Sequence, residues 1–173
     1  FHAHAVRCLH LGCGSHPLPR WLNSDLSSAD PSVIALDATR AFPFADGSLD
    51  FIFSEHMIEH LPHAGATAML AECLRTMKAG GTIRISTPDL AFLVGLLDAD
   101  PSPLQRDYIR WATTTFLGPD VTPSPVFVVN NFVRAWGHQF IYDEPTLRRA
   151  LQQTGFEDVR RCRLNESRHP ELR

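Results

Sequence analysis

An apolar run over residues 6–11 stops abruptly at Gly12-Cys13-Gly14-Ser15. Such a run reads as a buried strand delivered into a tight turn. Glycines there allow positive φ and let a ligand approach the backbone closely. Further strand-like runs follow over 21–26, 33–36 and 49–54, the last after an Asp46-Gly47 turn. Residues 64–78 carry Met69, Leu70, Cys73, Leu74 and Met77 at helical spacing, and Gly80-Gly81 is expected to end that helix. Residues 82–86 then alternate Ile83 and Ile85 with polar neighbours, a fifth strand.

Thr87-Pro88-Asp89 supplies a hydroxyl cap, a first-turn proline and an early acid for a helix through Leu90, Leu93, Val94 and Leu97. A helix over 104–116 gives way to an irregular stretch holding Pro119, Pro123 and Pro125. Asp143-Glu144-Pro145 opens a last helix through Leu147, Ala150 and Leu151 to Gly155, and 156–163 should return as a strand. Strands alternating with helices predict an α/β domain: a Rossmann-like, doubly wound, mostly parallel sheet with helices on both faces. With 173 residues the chain reads as a single domain over 1–173, with a lid-like insertion at about 100–138.

The formal net charge of -3 argues against a general nucleic-acid binder, which needs a surplus of Lys and Arg for phosphates. Arg148, Arg149, Arg160, Arg161 and Arg163 read as a solvated face or a local basic one. Cys8, Cys13, Cys73 and Cys162 form no CxxC pair and read as small buried residues in a reducing compartment. With no signal-peptide pattern and no membrane span, the expectation is a cytoplasmic protein. His2 and His4 do not by themselves make a metal site.

In an open parallel sheet a ligand sits beyond the carboxyl ends of the strands, where the strand order reverses. The first strand ends in Gly12-Cys13-Gly14, the second at Asp25, the third just before Asp37. An ionised carboxylate at Asp25 can accept from both hydroxyls of a ribose, and Asp37 stands where an exocyclic amine such as that of adenine would donate. Each acid also has a plain reading as a strand-end turn residue. Glycine turn, acid and acid on three consecutive strand ends favour the functional one.

Leu11-Gly12-Cys13-Gly14, Trp21-Leu22-Asn23-Ser24-Asp25 and Phe42-Pro43-Phe44-Ala45-Asp46-Gly47-Ser48-Leu49-Asp50 resemble, in order, the motifs of class I S-adenosylmethionine (SAM)-dependent methyltransferases. Ser54-Glu55-His56-Met57-Ile58-Glu59-His60-Leu61 resembles their motif after the fourth strand. The run from Glu72 to Thr82 resembles the helix and glycine turn before the fifth, with Ala79 where the family has proline. Pro88-Asp89-Leu90, Trp136-Gly137-His138-Gln139-Phe140 and Gly155-Phe156 are similar to a bacterial branch of predicted methyltransferases. The resemblance covers about residues 6–169, although the spacing from Gly14 to Asp25 is shorter than in the broad class.

The resemblance implies SAM as cofactor, with S-adenosylhomocysteine as product. By position, Gly12, Cys13 and Gly14 line its methionine and ribose side, Asp25 holds the ribose and Asp37 the adenine amine. Ala38 lies beside the ring, and Ser54 and His56 face the methionyl end. It also implies that the family's final antiparallel strand is missing, short or supplied by a partner, which makes a homodimer an expectation. The expected activity is methyl transfer to a small-molecule or saccharide acceptor, with no nucleic-acid partner.

A hydroxyl acceptor would need a general base, and His56 and His138 are the candidates, with His60 read mainly as a structural residue at the strand-to-helix turn. Trp111, Phe116, Phe127, Phe132 and Trp136 are core residues or an aromatic wall for acceptor or sulfonium. No metal is expected from His56, Glu59 and His60, since zinc proteases need glutamate directly after the first histidine. A dinucleotide oxidoreductase would want GxGxxG, but Ser15, His16 and Pro17 follow Gly14. The remaining alternative is a non-catalytic SAM-fold module that binds the cofactor or a partner.

Overall fold

In the computed structural model, which describes residues 6–173, five parallel strands form one sheet in the order β3-β2-β1-β4-β5. They are β1 (Cys8–Leu11), β2 (Leu22–Asp25), β3 (Val33–Ala35), β4 (Leu49–Glu55) and β5 (Met77–Ser86). The chain winds outward from β1 to β3, then returns to add β4 and β5 on the other side. This is the doubly wound order expected, and it puts the reversal between β1 and β4. The helices are α1 (His63–Thr76), α2 (Leu90–Gly95), α3 (Pro103–Phe116), α4 (Pro125–Arg134) and α5 (Glu144–Thr154). Two 3-10 turns, Ile58–His60 and Pro170–Leu172, complete the set. His2 and His4 lie outside the described residues. Among those described, no helix is long and apolar enough to cross a membrane.

The period-two pleat divides the sheet into two faces. Leu9, Leu11, Ile52, Ile83 and Ile85 join Met69, Leu70 and Cys73 of α1 and Leu147, Ala150 and Leu151 of α5 in the main core. The opposite face carries His10, Phe51, Phe53, Thr82 and Arg84, paired across β1, β4 and β5. There the C-terminal tail does the covering: the His169 ring lies 5.0 Å from Phe51, and its Nε2 is 3.2 Å from Thr82 Oγ1. Connections 12–21, 26–32 and 36–48 contain no helix. The first two are shorter than the dozen or so residues a helical crossover takes.

Asn23 makes the short β1–β2 connection hold. Its buried side chain accepts from Leu18 N (2.8 Å) and donates to the carbonyls of Leu18 (2.9 Å) and Trp21 (3.2 Å). It also meets His10 Nδ1 at 3.2 Å. Ser24 next to it accepts, through its carbonyl, from both Gly12 N and Cys13 N at 2.9 Å. The Trp-x-Asn-x-Asp pattern is thus a clamp on the turn that follows β1.

A second polar knot joins α1 to the loop before β4. Arg75 donates through Nε and Nη2 to both oxygens of Glu72 (2.9 and 2.7 Å), and Glu72 Oε2 also accepts from Phe42 N at 2.6 Å. Arg75 further donates to the carbonyls of Phe42 and Phe44 and to Asp46. The bidentate guanidinium, followed by the Phe42 amide, holds the Glu72 carboxyl down at about 2.

Several sequence expectations are corrected. Helix α1 ends at Thr76 and β5 begins at Met77, so Gly80-Gly81 lies inside an irregular strand start rather than at a helix end. Its role is close approach: a Cβ on Gly81 would come within 3.0 Å of the Asp50 carbonyl. The expected strand over 156–163 does not form. Two of its carbonyls go to side chains instead, Val159 to Arg148 and Arg163 to Arg84 (3.0 Å), and no strand of the sheet pairs with it among the described residues. Cys162 in that segment is exposed, unlike buried Cys8, Cys13 and Cys73. Asp89, not Thr87, caps α2 by accepting from Ala91 N. The proline-bearing stretch contains helix α4, because Pro125 sits at a first-turn position and Val128 and Phe132 pack with α3.

Two outcomes follow for stability. Asn23→Ala should cost roughly 3 kcal/mol, because it orphans buried partners, read as a lower urea midpoint. Glu72→Gln should cost about 1.5–3 kcal/mol at neutral pH. Because the folded carboxyl titrates below its ordinary 4.5, this stabilisation is complete above that value and is lost as pH falls toward about 2. The gap between wild type and Glu72→Gln in denaturant midpoint should therefore narrow as the buffer is acidified.

Candidate active site

The carboxyl ends of β1, β2 and β4 converge on the turn Gly12-Cys13-Gly14. Gly12 has φ +73°, and a Cβ there would lie 2.2 Å from Met57 Cγ, so only glycine fits beneath Met57. Gly14 has φ +53° with no heavy atom within 4 Å of its would-be Cβ, so the turn opens outward at that point. Cys13 is buried between them. Asp25 Oδ2 accepts from Gly14 N at 2.8 Å, and no protein donor meets its other oxygen among the described residues. Turn and acid are therefore one unit, with an acceptor atom left over.

Asp37 lies two residues beyond β3, which is joined to β2 by the Ala35–Asp25 pairing. Its Oδ1 accepts from Thr39 N (2.9 Å) and Thr39 Oγ1 (2.6 Å), and these bonds keep its carboxyl below the usual range. Its Oδ2 is 3.6 Å from Arg40 Nε, and the side chain stays 42% exposed. The acid is ionised and preorganised by its own loop. Ala38 is buried beside it.

At the end of β4, Ser54 is fully buried and its Oγ has no protein partner. His56 follows in a left-handed conformation (φ +48°), unusual for a residue with a side chain. Its N–H donates to the Ser86 carbonyl (2.9 Å), while Nδ1 donates to Glu59 Oε1 at 3.1 Å. The ring itself is 62% exposed, whereas the Glu59 side chain is fully buried. Burial alone would raise the Glu59 carboxyl, but the bonds from His56 and from Thr87 Oγ1 (3.0 Å) bring it below its ordinary value. The hydrogen bond to Glu59 in turn raises His56.

His138 reaches the same place from far along the chain. Trp136 (φ +56°) and Gly137 (φ +77°) turn the backbone sharply after α4. Gln139 N and Phe140 N then donate to the Glu59 carbonyl at 2.8 and 3.1 Å, and Gln139 Nε2 donates to the His60 carbonyl at 2.7 Å. His138 ends edge-to-face on His60, 4.8 Å between centroids, with Nδ1 on the Phe132 carbonyl at 2.5 Å. Trp111, Phe116, Trp136 and His138 form a run of rings at 5.0–5.4 Å, with Phe132 behind it and Phe127 outside it.

Of the expected residues, Gly12, Cys13, Gly14 and Asp25 are in direct contact, Asp37 and Ala38 stand one strand further out, and Ser54 and His56 close the β4 side. Sequence reasoning takes Glu59 only as a member of a rejected metal cluster and Thr87 only as a helix cap, and so misses that they bond to one another beside His56. The signal for Glu59 was its position three residues after His56, which puts it under that ring. A concavity of about 420 Å³ near Asp50, Lys78 and Gly80 lies at the amino ends of β4 and β5. That is the wrong end of a parallel sheet for the ligand crevice.

A family model described as a methyltransferase domain matches residues 4–161. No curated protein matches the chain. Among solved structures, it is similar to a SAM-dependent methyltransferase from Archaeoglobus fulgidus, with 20% identity and TM-score 0.58 over 90% of this chain and 62% of that one. It is also similar to the Haemonchus contortus phosphoethanolamine N-methyltransferase 2 (17%, TM-score 0.51, 88% of this chain and 33% of that one). The SpnF cyclase gives 17% identity and TM-score 0.51 over 88% and 51%. This chain thus spans about 62% of the Archaeoglobus protein's length, and these identities speak to fold. With the glycine turn clamped by β2 and the family's pattern over most of its length, the chain belongs to the methyltransferase-domain family, of the class I SAM-dependent fold.

Proposed function

We propose that this chain binds SAM and transfers its methyl group to a small-molecule or saccharide acceptor. The observation that carries the reading is the Gly14–Asp25 unit, a turn open to the outside with one carboxylate oxygen unclaimed. The residues present fit the cofactor. Backbone at Gly12, Cys13 and Gly14 would lie along its methionine and ribose side, the free Asp25 oxygen would accept from a ribose hydroxyl, and Asp37 would accept from the adenine amine beside Ala38. Ser54 Oγ, buried without a protein partner, is an atom that a water or ligand at the methionyl end would satisfy. When bound, SAM supplies an electrophilic methyl on a sulfonium.

The protein's own share is alignment, which can be worth roughly 7–11 kcal/mol when two reactants are held in line. His56 is positioned for that: Glu59 fixes its Nδ1 proton and ring direction, which leaves Nε2 as the acceptor for the nucleophile's hydrogen. The helices α3 and α4, built on a core of their own, act as a lid over the site. The exposed rings of Phe116 and Trp136 form its acceptor wall. The net charge of -3 favours an acceptor that is not a polyanion.

Calorimetry with S-adenosylhomocysteine tests the cofactor. Wild type should bind it, NADH should not bind, and Asp25→Ala and Asp37→Ala should each weaken it about tenfold or more, the loss of a charged hydrogen bond. A folded sample that binds neither SAM nor its product ends the reading for this chain. Once an acceptor is found by labelled-methyl screening, His56→Ala should lower kcat/KM about a hundredfold, well beyond any loss of product affinity from its place at the methionyl end. Cofactor binding without turnover on any acceptor would favour the non-catalytic module instead.

A further inference from the structure

We propose that Glu59, His60 and His138 form a binding site for a divalent first-row cation, Zn²⁺ being the best match to the donor set. One ligand atom from each residue lies within 4.8 Å of the others. Donors about 2.0–2.2 Å from one ion stand roughly 3.4–4.3 Å apart, so a small ring rotation closes the cage. Two imidazoles and one carboxylate suit zinc and its neighbours better than magnesium or calcium, and they leave coordination positions open.

Each donor is prepared for the ion by something else in the fold. His138 donates its Nδ1 proton to the Phe132 carbonyl, which leaves Nε2 with its lone pair. A backbone carbonyl on the far nitrogen is one of the usual orienting partners of a metal-bound histidine. The His60 ring makes no hydrogen bond among the described residues and meets His138 edge-on. Glu59 is fully buried, and its carboxylate has about four acceptor positions, of which His56 and Thr87 fill two. No Lys or Arg pairs with it among the described residues, so its compensating charge is only as large as the exposed His56 ring provides.

The two halves of the site are also fixed to one another. The amides of Gln139 and Phe140 and the side chain of Gln139 bind the carbonyls of Glu59 and His60, so His138 is held in register with them. The 56–60 spacing alone could not show this, because the third donor comes from after α4. The 3-10 turn carrying Glu59 and His60 follows β4, and Met57 at its start lies over Gly12. The cation therefore stands beside the proposed cofactor turn, where its open positions would take an oxygen of the acceptor. That use rests on the methyltransferase reading; the binding itself does not.

The test is Zn²⁺ titration of the chelator-treated full chain by calorimetry, with Co²⁺ visible absorption reporting the ligand set and S-adenosylhomocysteine titrated in parallel. Wild type should take up a single equivalent. His60→Asn and His138→Asn should each weaken Zn²⁺ by about tenfold or more and change the Co²⁺ spectrum. Circular dichroism and product affinity should not change in these variants, and His63→Asn, at an exposed histidine outside the cluster, should behave as wild type. Equal Zn²⁺ affinity in wild type and in folded His60→Asn/His138→Asn would overturn the site, as would no uptake by wild type. Zn²⁺ uptake lost in these variants, in a protein that binds no product, would uphold the site and remove only its role toward an acceptor.

Discussion

The buried side chain of Asn23 holds the β1–β2 connection, and with it the turn after β1, in shape. A parallel pair joined by residues 12–21 has no room for the crossover helix that ordinarily fixes the geometry of such a connection. A buried amide takes over that work. It closes the loop onto Leu18 and Trp21, reaches His10 across the sheet, and leaves the adjoining Ser24 carbonyl to anchor Gly12 and Cys13. Asp25 then finishes the turn by accepting from Gly14. Three consecutive residues of one short strand thus impose the shape of the turn that we propose holds the cofactor. The cost of a buried polar group is met because every one of its hydrogen-bonding groups is used.

The carboxylates divide by what surrounds them. Glu72 is consumed by Arg75 and the Phe42 amide and serves to tie α1 to the loop before β4. Asp25 and Asp37 each give one oxygen to the backbone that positions them; the other has no protein donor at Asp25 among the described residues and faces Arg40 at 3.6 Å at Asp37. Glu59 is wholly buried, held by a histidine and a threonine rather than by a strong cation. A buried acid with so little opposing charge is uncommon in a region that serves stability alone. It gives the end of β4 a chemical character that the glycine turn lacks.

Helices α3 and α4 bring a different material to the same edge. They bury Ile109, Ala112, Val128 and Phe132 together with Leu93 and Leu96, apart from the main core. Their outer rings remain exposed, Trp136 and Trp111 among them, and lead toward His138. An element with a core of its own can shift as a body without disturbing the sheet. The sharp backbone at Trp136 and Gly137 is where it is attached to the histidine pair.

The five parallel strands, their winding and the family are legible in the sequence, because strand runs, glycine punctuation and strand-end acids are local patterns. The sequence also marked Asp143 and Gly155 as the two ends of α5, since caps act within one turn of chain. It misread Gly80-Gly81 as a helix stop, since a glycine pair looks the same whether it ends a helix or lets β5 approach Asp50. The strand expected over 156–163 is unpaired in the fold, because pairing depends on register with distant residues that a local pattern does not carry. Thr87 reads locally as the cap of α2, when the hydroxyl has a buried carboxylate to satisfy. The approach of His138 to Glu59 and His60 emerges only on folding. The bonds that fix it run between segments far apart in the chain, and spacing carries no information about them.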